Sequence, residues 1–217
     1  AALRGLAARY WEAGVDGLFL FNYYHASPSW KQQILGDLVD GQRLPGLSKR
    51  YELDHSDRVR GKEGHAGAFH HAHPLVSLPV VLAETLPEGG CELTLEVAGQ
   101  LEAALSGGET GTWGLSLGVE NLGAEDALEV FLNGSGVPWE GRSTQDGWTV
   151  DAFDGAPLET VVAPRGVEGT MVRLHLPPAT VQPGANHLRI RLVPGGEATD
   201  PVRLTEVWLD IDYEGRT

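Results

Sequence analysis

The sequence is poor in cysteine, in cations and in long apolar runs. Cys91 is the only cysteine, so there is no intrachain disulfide and no metal site built from several thiolates. Lys and Arg number 16 against 30 Asp and Glu, a formal net charge of −14. Such a balance repels a phosphate backbone and an anionic bilayer surface, so nucleic acid and membrane are not expected partners. Neutral partners such as sugars stay open. No apolar run approaches the roughly 20 residues of a membrane-spanning helix. The chain opens on Ala1 and not on Met, so the lack of a visible signal peptide excludes nothing.

What is present is enough for a sizeable core. The 217 residues are 41% hydrophobic and 21% charged, and the 29 Gly and 13 Pro favour many turns between short strands. Residues 1–13, AALRGLAARYWEA, read as a helix, with Leu3, Leu6, Ala7, Tyr10 and Trp11 on one face and Gly14 just past its end. Val15 to Asn22 then forms a nearly unbroken apolar run, the pattern of a strand covered on both faces in a parallel sheet. Ser27-Pro28 reads as an N-cap and first helical residue, opening a second helix to about Leu38. A lone parallel strand needs neighbours on both edges, and nothing after residue 54 resembles another such unit. The expectation is therefore that the chain is the C-terminal part of a longer protein.

Residues 55–74 are polar, Gly-rich and His-rich and read as a linker or ordered loop. Beyond them the period changes to two. Apolar residues alternate at Leu93/Leu95/Val97, Leu115/Leu117/Val119, Leu128/Val130/Leu132, Leu174/Leu176, Leu188/Ile190/Leu192 and Val207/Leu209/Ile211/Tyr213. Each strand so marked has one apolar and one polar face, which predicts antiparallel sheet packed on a core and a sandwich of jelly-roll type.

Two segments resemble known families. YWEAGVDGLFLFNYY, with ILGDL and LSKRYELD after it, resembles the closing segment of bacterial TIM-barrel glycosyl hydrolases of the family 10-like group. LEVFLNGSGV and VQPGANHLRIRLVP are similar to galactose-binding-like jelly rolls, in which Asn133-Gly134 would make a tight hairpin and Asn186 would bond its own backbone ahead of a strand. The fold so implied is multidomain: an α/β fragment, the last βα unit of a (β/α)8 barrel, over 1–54; a linker over 55–74; and an all-β jelly-roll sandwich over 75–215.

The resemblance places Asn22, Tyr23, Tyr24 and His25 at the C-terminal end of the last barrel strand, where such barrels build their sites. An amide, two phenols and an imidazole suit a sugar subsite, by ring stacking and hydrogen bonding. No acid pair of the kind glycoside hydrolysis needs is evident, since Asp16 lies at the other end of the strand. The catalytic carboxylates are expected outside this sequence, which alone is expected to be inactive. Trp139 and Trp148, in Gly-rich loops, are candidates to stack on a sugar ring. Trp208 shares a polar strand face with Asp210 and Asp212 and needs cover, from the barrel or from sugar. Trp113 completes the tryptophans of this region. His65, His70, His71 and His73 could gather round a metal, and Asp146, Asp151 and Asp154 could hold calcium, but neither set has a familiar spacing, and no metal or cofactor is expected.

Three readings stay open: a glycosidase fragment, a carbohydrate-binding module, and a buttress for the barrel. The first and third are compatible. The expected partners are carbohydrate and the N-terminal barrel portion of the same protein. A polysaccharide-acting protein favours the periplasm or the cell exterior.

Overall fold

The computed structural model describes residues 2–19, 28–39, 41–53, 78–82, 90–98, 111–138, 143–146, 149–150, 165–166, 169–196 and 200–213. It opens with α1 (Ala2–Glu12), where the apolar spacing predicts it, and α2 (Pro28–Leu38), where the Ser27-Pro28 start signal does. α1 ends on Gly14 at φ 82°. The Gly14 N–H donates to the Trp11 carbonyl at 3.0 Å and the Val15 N–H to the Tyr10 carbonyl at 3.4 Å, the two bonds that close a helix on a left-handed residue.

The strands are β1 (Lys49–Glu52), β2 (Val80–Val81), β3 (Cys91–Val97), β4 (Gly111–Glu120), β5 (Ala127–Leu132), β6 (Ser135–Val137), β7 (Ser143–Asp146), β8 (Thr149–Val150), β9 (Arg165–Gly166), β10 (Thr170–His175), β11 (Gly184–Val193) and β12 (Arg203–Tyr213). A six-stranded sheet runs β1-β12-β4-β10-β7, with β2 also on β12; a four-stranded sheet runs β3-β11-β5-β6; β8 and β9 form a separate ribbon. All of these pairs are antiparallel. Period-two alternation makes this arrangement: the inward residues Leu115, Leu117, Val172, Leu174, Val207, Leu209 and Ile211 of the large sheet and Leu93, Leu95, Val130, Leu132, Leu188 and Ile190 of the small one belong to one buried cluster. The β-rich architecture expected after residue 75 is thus present.

Two differences concern the first segment. The run read as a buried strand carries no strand over 15–19, so a barrel βα unit is not formed among the described residues. An apolar run of that kind becomes a strand only beside an open strand edge, and no described strand pairs with it. Second, residues 49–52, read as part of the barrel end, form the edge strand β1 of the large sheet, with Arg50 opposite Asp210 and Tyr51 opposite Leu209. Helical residues Ala7, Ala8, Ile34 and Leu38 join the same buried cluster as the sandwich.

Candidate functional site

α1 has two working faces. One seats it on the sandwich. Gly5 lies against the Arg50 carbonyl so closely that a Cβ there would overlap the oxygen. Ala8 is fully buried. Arg4 donates from Nε to Asp37 Oδ2 at 2.9 Å and from Nη1 to the Ser48 carbonyl at 3.3 Å, which ties α1 to α2 and to the turn before β1. Trp11 Nε1 donates to the Leu38 carbonyl at 2.9 Å. β1 and β3, the edge strands of the two sheets, approach each other on this side, and α1 packs on both.

The other face is uncovered. Leu6 is 44% exposed, Tyr10 46% and Phe19 87%. With Leu3, Leu18 and Leu38 they line an open apolar groove of about 420 Å³. On α2 and just after it, Leu35 and Val39 are exposed as well. Contiguous exposed apolar surface of this kind marks an interaction site more often than isolated exposed residues do. The helical spacing that reveals α1 gave no sign that Leu6 and Tyr10 would face away from the chain's own core; only the seated face explains it, since Gly5 and Ala8 are the small residues that permit close approach.

The sequence-predicted sugar residues Asn22, Tyr23, Tyr24, His25, Trp139 and Trp148 lie outside the described residues, as do His65, His70, His71, His73, Asp151 and Asp154. Asp146 ends β7. Among the described residues no group of three His, Cys, Asp or Glu is placed to hold a metal ion. Trp113 is core. Trp208 lies on the outer face of the large sheet, as alternation predicts, yet only 5% of it is exposed. The chain itself thus supplies the cover expected from the barrel or from sugar, in part through Arg50, whose guanidinium stands 4.6 Å from the ring centroid while donating to both Asp210 oxygens at 2.6 and 3.1 Å.

At one end of the sandwich an amide network fixes the turns. Asn133 (φ 51°) and Gly134 (φ 79°) form the two-residue hairpin between β5 and β6 that the sequence predicts. Asn133 Nδ2 donates to Asn186 Oδ1 and to the Thr180 carbonyl, both at 2.9 Å. The buried Asn186 accepts from the Gln182 N–H at 2.9 Å and donates to the carbonyls of Gln182 and Gly184 at 2.7 and 3.0 Å.

The described outer face of the small sheet is polar or small except at Phe131 and at Val193 at the end of β11. Glu92, Arg189, Phe131 and Gly136 form one row across its four strands. Thr94 and His187 form a second, and Arg191 and Glu129 a third, in which Arg191 Nε donates to Glu129 Oε2 at 2.9 Å. Two core groups titrate abnormally. Burial pushes the Cys91 thiol up to about 12. It also raises the Tyr51 phenol well above its ordinary value, against a weaker opposing effect from a backbone hydrogen bond at Ala98.

Fold and surface together define an antiparallel β-sandwich with a helical pair on one edge and an apolar groove on that pair. No family model matches the chain, and no curated protein matches it.

Proposed function

We propose that this chain is the C-terminal part of a carbohydrate-acting hydrolase, in which a galactose-binding-like jelly roll buttresses a (β/α)8 barrel formed with the preceding part of the same protein. The observation that carries the reading is the uncovered apolar face of α1 and residues 15–19. Val15, Leu18 and Phe19 belong to a run with apolar residues on both faces, and such a run gains pairing and cover only inside a parallel sheet. Fully burying Phe19 would contribute on the order of 1.5–3 kcal/mol, and covering the exposed parts of Leu6 and Tyr10 roughly half as much each. The groove is thus the docking face for the barrel, and α1 the hinge plate between the two bodies. Hydrolysis would be acid-assisted, with both carboxylates supplied by the barrel. Asn22, Tyr23, Tyr24 and His25 would hold sugar and leave bond cleavage to those acids.

The test compares this chain with the same chain joined to the residues encoded upstream of Ala1. Amides over residues 3–19 are expected to exchange more slowly in the longer protein. Only the longer protein is expected to cleave a panel of chromogenic glycosides, and Phe19→Asp should reduce both effects. A start codon directly before Ala1, or unchanged exchange over 3–19, would sink the proposal.

A further inference from the structure

We infer that the outer face of the small sheet is a platform for a neutral oligosaccharide, centred on Phe131. The inference rests on the carbohydrate reading above but uses a different face of the molecule. The described outward residues of β3, β11, β5 and β6 are charged, polar or small, apart from Val193 at the end of β11 and one large apolar ring, that of Phe131. Phe131 is half-buried in the middle of the sheet. Its neighbour on β11 is Arg189 and its neighbour on β6 is Gly136. A Cβ at Gly136 would stand 3.8 Å from Phe131 Cε1, so glycine puts no side chain of its own against that flank of the ring.

Around the ring the face offers both kinds of hydrogen-bonding group in alternation. Arg189 and Glu92 flank the ring on one side, the Arg191–Glu129 ion pair lies in a neighbouring row, and His187 brings an imidazole. A pyranose is the ligand class with this signature. It has an apolar C–H face that packs on a ring, and a rim of hydroxyls each able to donate and to accept. The face has no dominant sign, and the protein carries −14, so an acidic polysaccharide would be repelled. The row from Glu92 to Gly136 crosses four strands, about 14 Å at the usual strand spacing, and has room for more than one sugar ring.

The test applies the intact 217-residue chain to an array of neutral oligosaccharides, then titrates the best binder calorimetrically. The unaltered chain should bind, Phe131→Tyr should retain binding, and Phe131→Ala should lose about tenfold or more in affinity. Gly136→Val, which places a side chain against the ring, serves as the second variant and should weaken binding likewise if Phe131→Ala does not fold. Leu6→Ser and Phe19→Asp, on the docking face, should leave glycan affinity unchanged. An array without a neutral hit overturns the inference, as does a hit whose affinity survives Phe131→Ala, or survives Gly136→Val where Phe131→Ala is unfolded. Loss of glycan binding would leave the docking test untouched, and the reverse holds too.

Discussion

Single side chains decide how α1 sits and how the turns close. Gly5→Val should lower stability by about 1–3 kcal/mol, because the new atoms meet backbone and not a side chain that could rotate away. A guanidinium melt checks this, and the loss should be larger than for Leu6→Ser, whose side chain is exposed and should change stability by less than about 0.5 kcal/mol. Asn186→Leu should cost on the order of 1–3 kcal/mol, since it removes the buried amide and takes part-buried partners from the Asn133 amide and the Gln182 backbone groups. The pH dependence has a definite sign. Cys91 and Tyr51 have folded values raised above their ordinary 9.0 and 10.0, so the unfolded chain releases their protons first. Stability should be level through pH 8 and fall as pH rises from about 9 towards 12, which denaturant melts at pH 8, 9.5 and 11 would register. Cys91→Ala should flatten part of that fall.

At the level of elements, what the sequence revealed depended on whether a strand's inward residues were apolar. Leu93, Leu95 and Val97 announce β3, and Leu188, Ile190 and Leu192 announce β11, because these successive inward positions carry hydrocarbon, while the inward Asn186 of β11 does not. β1 stayed hidden because Lys49 occupies an inward position. It is 3% exposed and resolves the conflict by bending back, its Nζ donating to the Pro45 and Leu47 carbonyls at 2.8 Å each and lying 5.3 Å from the Tyr213 ring centroid. Val15–Phe19 is the opposite case, where hydrocarbon is plentiful and no described strand pairs with it: periodicity reports which faces want cover and is silent on who provides it. The same limit applies to the candidate groove, since Leu6 and Tyr10 share the helical spacing of core residues. Phe131 was legible as an outward position of a strand, but only the pairing of β5 with β6 brings Gly136 beside it. The paired ions on the surface count for little in this picture; Arg191→Ala should change stability by less than about 1 kcal/mol, because its bridge to Glu129 is more than a third exposed.

For the whole molecule, the connections between sheets matter more than the hairpins. β5 to β6 is the one tight hairpin among the described strands; β10, β11 and β12 go to large, small and large sheet in turn. Pairings such as β1 with β12 and β4 with β12 join residues far apart in sequence, so folding should be slow for a chain of this size, in milliseconds to seconds in a stopped-flow refolding trace. The placement of α1 bears on what happens to the chain during and after that time. Of the strands that end a sheet, β3 is the longest at seven residues, while β1, β6 and β7 have four, three and four. Long bare edges recruit further chains by main-chain pairing, and proteins guard against this by keeping edges short or covering them. Here the longest terminal strand, β3, shares its flank with α1, as the edge strand β1 does. A helix on that flank limits main-chain pairing there, so a chain trimmed to begin at residue 14 should elute from a sizing column as growing aggregates that bind thioflavin.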